Sequence, residues 1–423
     1  MHESSPEASP VDESFSILDA VREEDKRNAV LESRQEFITT SIEIKVDGFV
    51  FKLTRHEPKK KRTYKDVNGK DVHYPEMLMV HGFASDESYF GGVKDGRLTE
   101  QMCRLGLTIN TITLPNGMGH LSAKQILEVQ ARGVQAAYNL LSVDYAKGSE
   151  VILVAHSRGA IVATHAAELL YKEHAEYDNL SPEEQAKSAK PLKGLALLAP
   201  AGVNPIGSDK ARRRLRRLGH SLSVIGSAAL TLPGLAKESI NDMKYHPKST
   251  ISHIGMAAIS IASDPKMRLK EAEIAASSDI KPILKKLSYR TSIIIIGTKN
   301  DAFIKSEDLS KFCVETVLGI PKPPQKPNIE DMFRANISLI NLEEGQTHML
   351  LGRRYKSYAD PREVPGILLN FQQSIMPDPV EGSENGYLPN AYNKGVMTEV
   401  DEDGNEVYEN GKGHLGIPKP SRL

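Results

Sequence analysis

The chain has 423 residues, 39% of them hydrophobic and 26% charged, which is enough apolar material for an ordinary globular core. Its 54 Lys and Arg stand against 55 Asp and Glu, so no bulk electrostatic field draws it to a polynucleotide and no nucleic-acid partner is expected. Cys103 and Cys313 are too few for a disulfide scaffold or a thiolate metal site and read as buried free thiols. The opening MHESSPEASP lacks the basic start and apolar core of a targeting peptide, and no run reaches the roughly 18 apolar residues that span a bilayer. A cytoplasmic location is therefore the default expectation.

Residues 1–35 carry nine acidic and four basic residues, with Ser and Pro at the front, and read as an acidic arm with a surface helix over Ser14–Arg34. Ile38–Val46 and Phe49–Arg55 then form a leading hairpin about Asp47-Gly48, a favoured two-residue turn. Apolar or β-branched runs follow at Met77–Val80, Thr108–Leu114, Val151–Val154, Gly194–Ala199, Ser292–Ile296 and Ile337–Leu342. Helical patterns lie between most of them, so the chain reads as βαβ units around a mainly parallel sheet flanked by helices, an α/β fold.

The connection after Gly202 is too long for a simple crossover. Residues 203–286 are read as an inserted helical cap between two parts of one core, 36–202 and 287–376. Within it, Ala211–Arg217 is a basic helix, and Leu222–Leu235 and Ile251–Ala262 are apolar helical or loop-helix segments. Over residues 203–290 there are sixteen Lys and Arg against seven Asp and Glu. The Arg212–Arg217 run reads first as a solvated face; the functional alternative is attraction of an acidic substrate or peripheral contact with an anionic membrane surface. A terminal helix is expected near Pro365–Ile375, and residues 377–423, again nine acidic to four basic, read as a loosely ordered tail.

The chemistry concentrates where the strand Val151–Val154 runs through Ala155-His156-Ser157-Arg158-Gly159 into the helical run Ile161–Tyr171. A sharp strand-to-helix turn at a serine holds the hydroxyl above the sheet, demands small residues two positions to either side, and sets it at a helix N-terminus that favours developing negative charge. Serine needs a base, and the base needs a carboxylate. Ile293–Ile296 leads through Gly297 to Asp301; Glu307 and Asp308 are competing acids at the apparent start of the next helix. His348 follows the last strand in the loop Glu343–Leu350. His156, His165, His220 and His253 are weaker candidates for the base, read as packing or solvent-facing.

This elbow resembles that of the α/β-hydrolase superfamily, with Ala155 in place of the usual first glycine, and the resemblance covers roughly residues 36–375 outside the insertion. It implies a serine esterase or lipase-like enzyme in which Ser157, His348 and Asp301 form a catalytic triad, in the chain order usual for this fold. By the same resemblance, Met77–Phe83 is the first oxyanion loop, the amides of Phe83 and Arg158 form the oxyanion hole, His81 braces the loop, and Pro115–His120 is a structural glycine-rich turn. No cofactor or metal is implied, and the expected partner is a small, apolar acyl substrate. The triad would equally serve a peptidase, a lactonase, a carbon–carbon bond hydrolase or an acyltransferase, and the competing reading from another class is a non-catalytic binding protein on the same scaffold.

Overall fold

The computed structural model describes residues 37–65, 71–83, 98–145, 150–175, 177–185, 187–203, 258–288, 290–298, 308–310, 337–342 and 364–375, with shorter pieces at 85, 87–91, 251, 255, 301, 312, 399–400 and 406–407. Eight strands make the principal sheet: β1 (Phe37–Val46), β2 (Phe49–Pro58), β3 (Glu76–Val80), β4 (Ile109–Thr113), β5 (Val151–His156), β6 (Gly194–Leu198), β7 (Ser292–Thr298) and β8 (Ile337–Leu342). Their spatial order is β1-β2-β4-β3-β5-β6-β7-β8. The hairpin β1–β2 joins antiparallel to β4, and every pairing from β4 through to β8 is parallel. The expected α/β sheet, with its antiparallel edge, is the one found.

Local chemistry explains each piece. Asp47 and Gly48 both take positive φ, 50° and 83°, the backbone a two-residue hairpin turn needs to match strand twist. β5 is buried at every position and alternates between two cores. Val151, Leu153 and Ala155 face one core, while Ile152 and Val154 face the other. The isoleucines of β7 divide the same way, Ile293 and Ile295 against Ile294 and Ile296. Each such side chain contributes about 1.5–3 kcal/mol by leaving water.

On the first face lie α2 (Ala123–Leu140) and α3 (Arg158–Glu173); on the second lie α1 (Leu98–Arg104) and α6 (Val364–Ser374). α2 opens with a capping box in which Ser122 and Gln125 satisfy each other's amides. Two more helices, α4 (Pro265–Ser277) and α5 (Lys281–Leu287), pack on the first face, with Met267, Ile274, Leu284 and Leu287 in its core. Asp264 caps α4, accepting from the Met267 amide at 3.0 Å, and Pro265 begins the helix, where its missing N–H is harmless.

At the amino edge of the sheet the buried Arg55 guanidinium forks onto the Glu76 carboxylate, one arm at 2.6 Å. Asn110 joins them, its amide donating to Glu76 Oε2 at 3.1 Å and to the Met77 carbonyl at 3.2 Å. The three residues come from β2, β3 and β4, so the cluster locks that register.

The acidic arm 1–35, the Arg212–Arg217 run and Leu222–Leu235 fall outside the described residues. Positions 251, 255 and 258–262 of the expected apolar segment Ile251–Ala262 are helical, and of the tail only Glu399–Val400 and Glu406–Val407 are described, paired antiparallel. No helix among the described residues is long and apolar enough to cross a membrane.

Candidate active site

Ser157 stands where β5 turns into α3, with φ 52° and ψ −124°, a region that L-residues rarely occupy. Such a conformation costs on the order of 1–3 kcal/mol and persists only where its surroundings hold it. They do so from two sides. The Ser157 amide donates to the Leu198 carbonyl at 2.9 Å, and the Ser157 carbonyl accepts from the amides of Ala160 at 3.0 Å and Ala201 at 3.1 Å.

The requirement for a small residue two positions on is equally physical: a Cβ on Gly159 would lie 2.3 Å from the His81 carbonyl oxygen and 2.5 Å from that of Val80. The end of β3 therefore packs directly on the elbow. A Cβ on Gly82 would come within 3.2 Å of the Ser157 Cβ, which sets the loop after β3 beside the serine. Phe83 follows in that loop, half-buried.

His81 is held by both ring nitrogens. The Leu114 amide donates to Nε2 at 3.2 Å, which leaves the ring proton on Nδ1, 3.0 Å from the Gly82 carbonyl. The ring ties the loop after β3 to the end of β4, the bracing role expected of it. His156 is buried with its ring stacked on Tyr89, centroids 4.8 Å apart. His165 is half-buried, and burial pushes its pKa below the ordinary histidine value.

Asp301 lies three residues past the carboxyl end of β7, its amide donating to the Thr298 carbonyl at 3.3 Å. The register places His156, Leu198 and Ile296 level across β5, β6 and β7, so Ser157 and Asp301 leave the same edge of the sheet from strands separated by one neighbour. β8 ends beside β7 at that edge, with Leu342 opposite Thr298. His348 comes six positions later in the chain and lies outside the described residues, as do Glu307, His220, His253 and Cys313; Asp308 begins a short helical stretch. Cys103 is buried, and burial raises its thiol pKa.

The side chain of Arg158 was not singled out by sequence reasoning, which used only its amide. It is fully buried, with Nη2 2.8 Å from Glu271 Oε1 on α4, an ion-pair distance at which the N–H vector does not point along a hydrogen bond. Nη1 donates to Gln130 Oε1 on α2 at 2.7 Å. Arg268 binds the other Glu271 oxygen and reaches Asn116 in the glycine-rich turn after β4. That turn seats the start of α4: Gly117 donates to Asp264 at 3.0 Å, and the Lys270 ammonium donates to the carbonyls of Gly119, at 2.9 Å, and Leu121. The available signals were an arginine beginning a helix whose first turns are apolar, and a glutamate in step with Met267 and Ile274 on one helical stripe, each a buried charge that needs a partner.

No group of three His, Cys, Asp or Glu among the described residues is arranged to hold a metal ion. Strand order, flanking helices and the strained serine at the β5–α3 turn together define an α/β-hydrolase fold. No family model and no curated protein matches the chain. Among solved structures it is similar to a bromoperoxidase from Bacillus anthracis, at 13% identity over 78% of this chain and 99% of that one, with a TM-score of 0.47. It is also similar to a hydrolase from Oleispira antarctica, at 16% identity over 71% and 92% of the two chains and a TM-score of 0.44. A carboxylesterase from Bacillus subtilis is similar at 9% identity over 84% and 97%, with a TM-score of 0.40.

Proposed function

We propose that the chain is a serine hydrolase that cleaves a carboxylic ester or related acyl compound through an acyl-enzyme on Ser157. The observation that carries this reading is the Ser157 backbone, held at positive φ at the apex of a buried strand and the start of a helix by three hydrogen bonds from the chain around it. A merely structural serine has no need of that strain.

In this mechanism His348 takes the hydroxyl proton as the Ser157 oxygen attacks the acyl carbon, and Asp301 orients the imidazole and stabilises its charged form. The carbonyl electrons move onto oxygen, where the amides of Phe83 and Arg158 receive the negative charge. Collapse of the adduct expels the leaving alcohol with the proton from His348. Water, deprotonated by the same histidine, then attacks the acyl carbon and frees Ser157. The substrate is a small apolar acyl compound, and no step calls for a cofactor.

A fluorophosphonate probe should label Ser157 and no other residue, and Ser157→Ala should lower kcat for a simple aryl ester by roughly 10⁴- to 10⁶-fold. Labelling elsewhere, or an unimpaired alanine variant, would sink the proposal.

A further inference from the structure

We infer that Glu271 is a positioning residue for the oxyanion hole: through the Arg158 guanidinium it fixes the aim of the Arg158 amide. The inference rests on the serine-hydrolase reading for the amide's role, and on geometry for the clamp itself.

Arg158 is joined directly to Ser157 and begins α3, so its amide and its side chain leave the same Cα. The side chain is buried completely, as is Glu271, and Arg268 nearly so. Two guanidiniums thus share one carboxylate away from water, leaving a buried excess of one positive charge. Burial, the larger influence, and the neighbouring Arg268 both lower the Arg158 pKa, against the pull of Glu271. Such a cluster is a poor device for stability, because well-packed apolar residues in its place would serve as well or better. What it supplies is a fixed seat for the guanidinium: Gln130 accepts a hydrogen bond from one arm at 2.7 Å, and the Glu271 carboxylate faces the other at an ion-pair distance of 2.8 Å.

The carboxylate is itself fixed. α4 is bound at its start to the turn at residues 115–120 by Asp264, Lys270 and Arg268, so Glu271 comes from a helix anchored to the loop after β4. The chain of contacts runs from Asn116 through Arg268 and Glu271 to Arg158, and so to the residue whose amide meets the oxyanion. Removing a whole oxyanion donor lowers turnover roughly 10²- to 10³-fold, and aim within a fraction of an ångström decides how much of that is realised.

The test compares the wild-type full chain with Glu271→Gln and with Glu271→Asp. The aspartate keeps the charge and the fold but withdraws the carboxylate by one methylene. Rates are normalised to active sites titrated with fluorophosphonate, so that an unfolded fraction does not count. Glu271→Gln should lower kcat for an aryl ester by about tenfold to a hundredfold with KM nearly unchanged, and weaken an aryl trifluoromethyl ketone, which forms the oxyanion adduct, by the same factor. Glu271→Asp should show a smaller loss of the same kind. Amide exchange in peptides covering 155–165 should speed up in both variants, while that of 292–298 should not. Folded variants that keep kcat and ketone affinity within about twofold, with unchanged exchange at the elbow, would overturn the inference. If the wild type neither hydrolyses nor labels, the hydrolase reading is what fails; the exchange comparison still decides whether Glu271 holds the elbow.

Discussion

Two buried charge clusters sit at opposite edges of the sheet and are built differently. At the amino edge the Arg55 guanidinium meets the buried Glu76 carboxylate in a fork completed by Asn110, and its Nε donates to the partly exposed Glu57 at 3.3 Å. At the carboxyl edge two guanidiniums, Arg158 and Arg268, converge on Glu271. The pKa directions part accordingly. Burial pulls the Arg55 value down, but its hydrogen bond to Glu76 and the charges of Glu76 and Glu57 more than restore it, so the charged form is favoured. Arg158 ends below its ordinary value because burial and Arg268 outweigh Glu271. A guanidinium whose charge is matched by carboxylates can serve as a register pin across β2, β3 and β4. An unbalanced one, held against its own desolvation beside a strained serine, points to a task other than stability.

That contrast can be broken most directly at the amino edge. Glu76→Gln takes from Arg55 its buried counter-charge and leaves it the partly exposed Glu57 at 3.3 Å; removing one partner of a buried pair costs about 3–5 kcal/mol. The urea midpoint should fall accordingly, while kcat per titrated active site stays unchanged, since the cluster lies at the far end of the strands. A fall in turnover on the scale expected of Glu271→Gln would erase the distinction between the two edges. A smaller effect is expected when both charges go together. Arg55→Met with Glu76→Leu should recover most of the lost stability, because an apolar pair of similar volume is often neutral or better, within about 1 kcal/mol of wild type. Urea denaturation of the double variant reads this, and a double variant as unstable as the single one would mean that the hydrogen bonds to Asn110, not charge pairing, carry the pin.

The same two clusters mark what was legible in the sequence. Every principal strand was readable because each is a short apolar or β-branched run set between helical patterns, and Asp47-Gly48 announced its turn through the φ values only such residues tolerate. The elbow was readable because Ala155, Ser157 and Gly159 answer a local steric demand that Gly159 shows directly. Asp301 and His348 rested on chain order and on the family resemblance; Asp301 follows a strand that ends at the same edge as β5, and His348 lies outside the described residues. The ribbon Thr63–Lys65 with Asp71–His73 was missed because three residues carry no periodicity. The arginine clusters were missed for a different reason. A charged residue on a helix or strand reads as solvated by default, and its partner, as with Gln130 and Glu271 for Arg158, comes from an element far along the chain.

Glu150 sharpens the comparison with the smallest effect. It lies next to Glu76 across the β3–β5 boundary, its carbonyl accepting the Glu76 amide at 2.8 Å, yet no arginine among the described residues pairs with it. Its Oε2 is buried without a hydrogen bond among the described residues, and burial raises its pKa more than Lys193 and Lys190 lower it. A carboxyl whose folded pKa is raised favours the folded state while protonated. That contribution is complete below the unfolded value of about 4.3 and is lost as pH rises through the folded value. Glu150→Gln, which cannot ionise, should therefore raise the melting temperature at pH 7 by about a degree or two, with the gain vanishing near pH 4. Thermal melts across that range would expose the alternative: a variant less stable at pH 7 would mean that Lys190 and Lys193 neutralise Glu150 as fully as Arg55 neutralises Glu76, and Glu150 would then be one more satisfied acid at the amino edge.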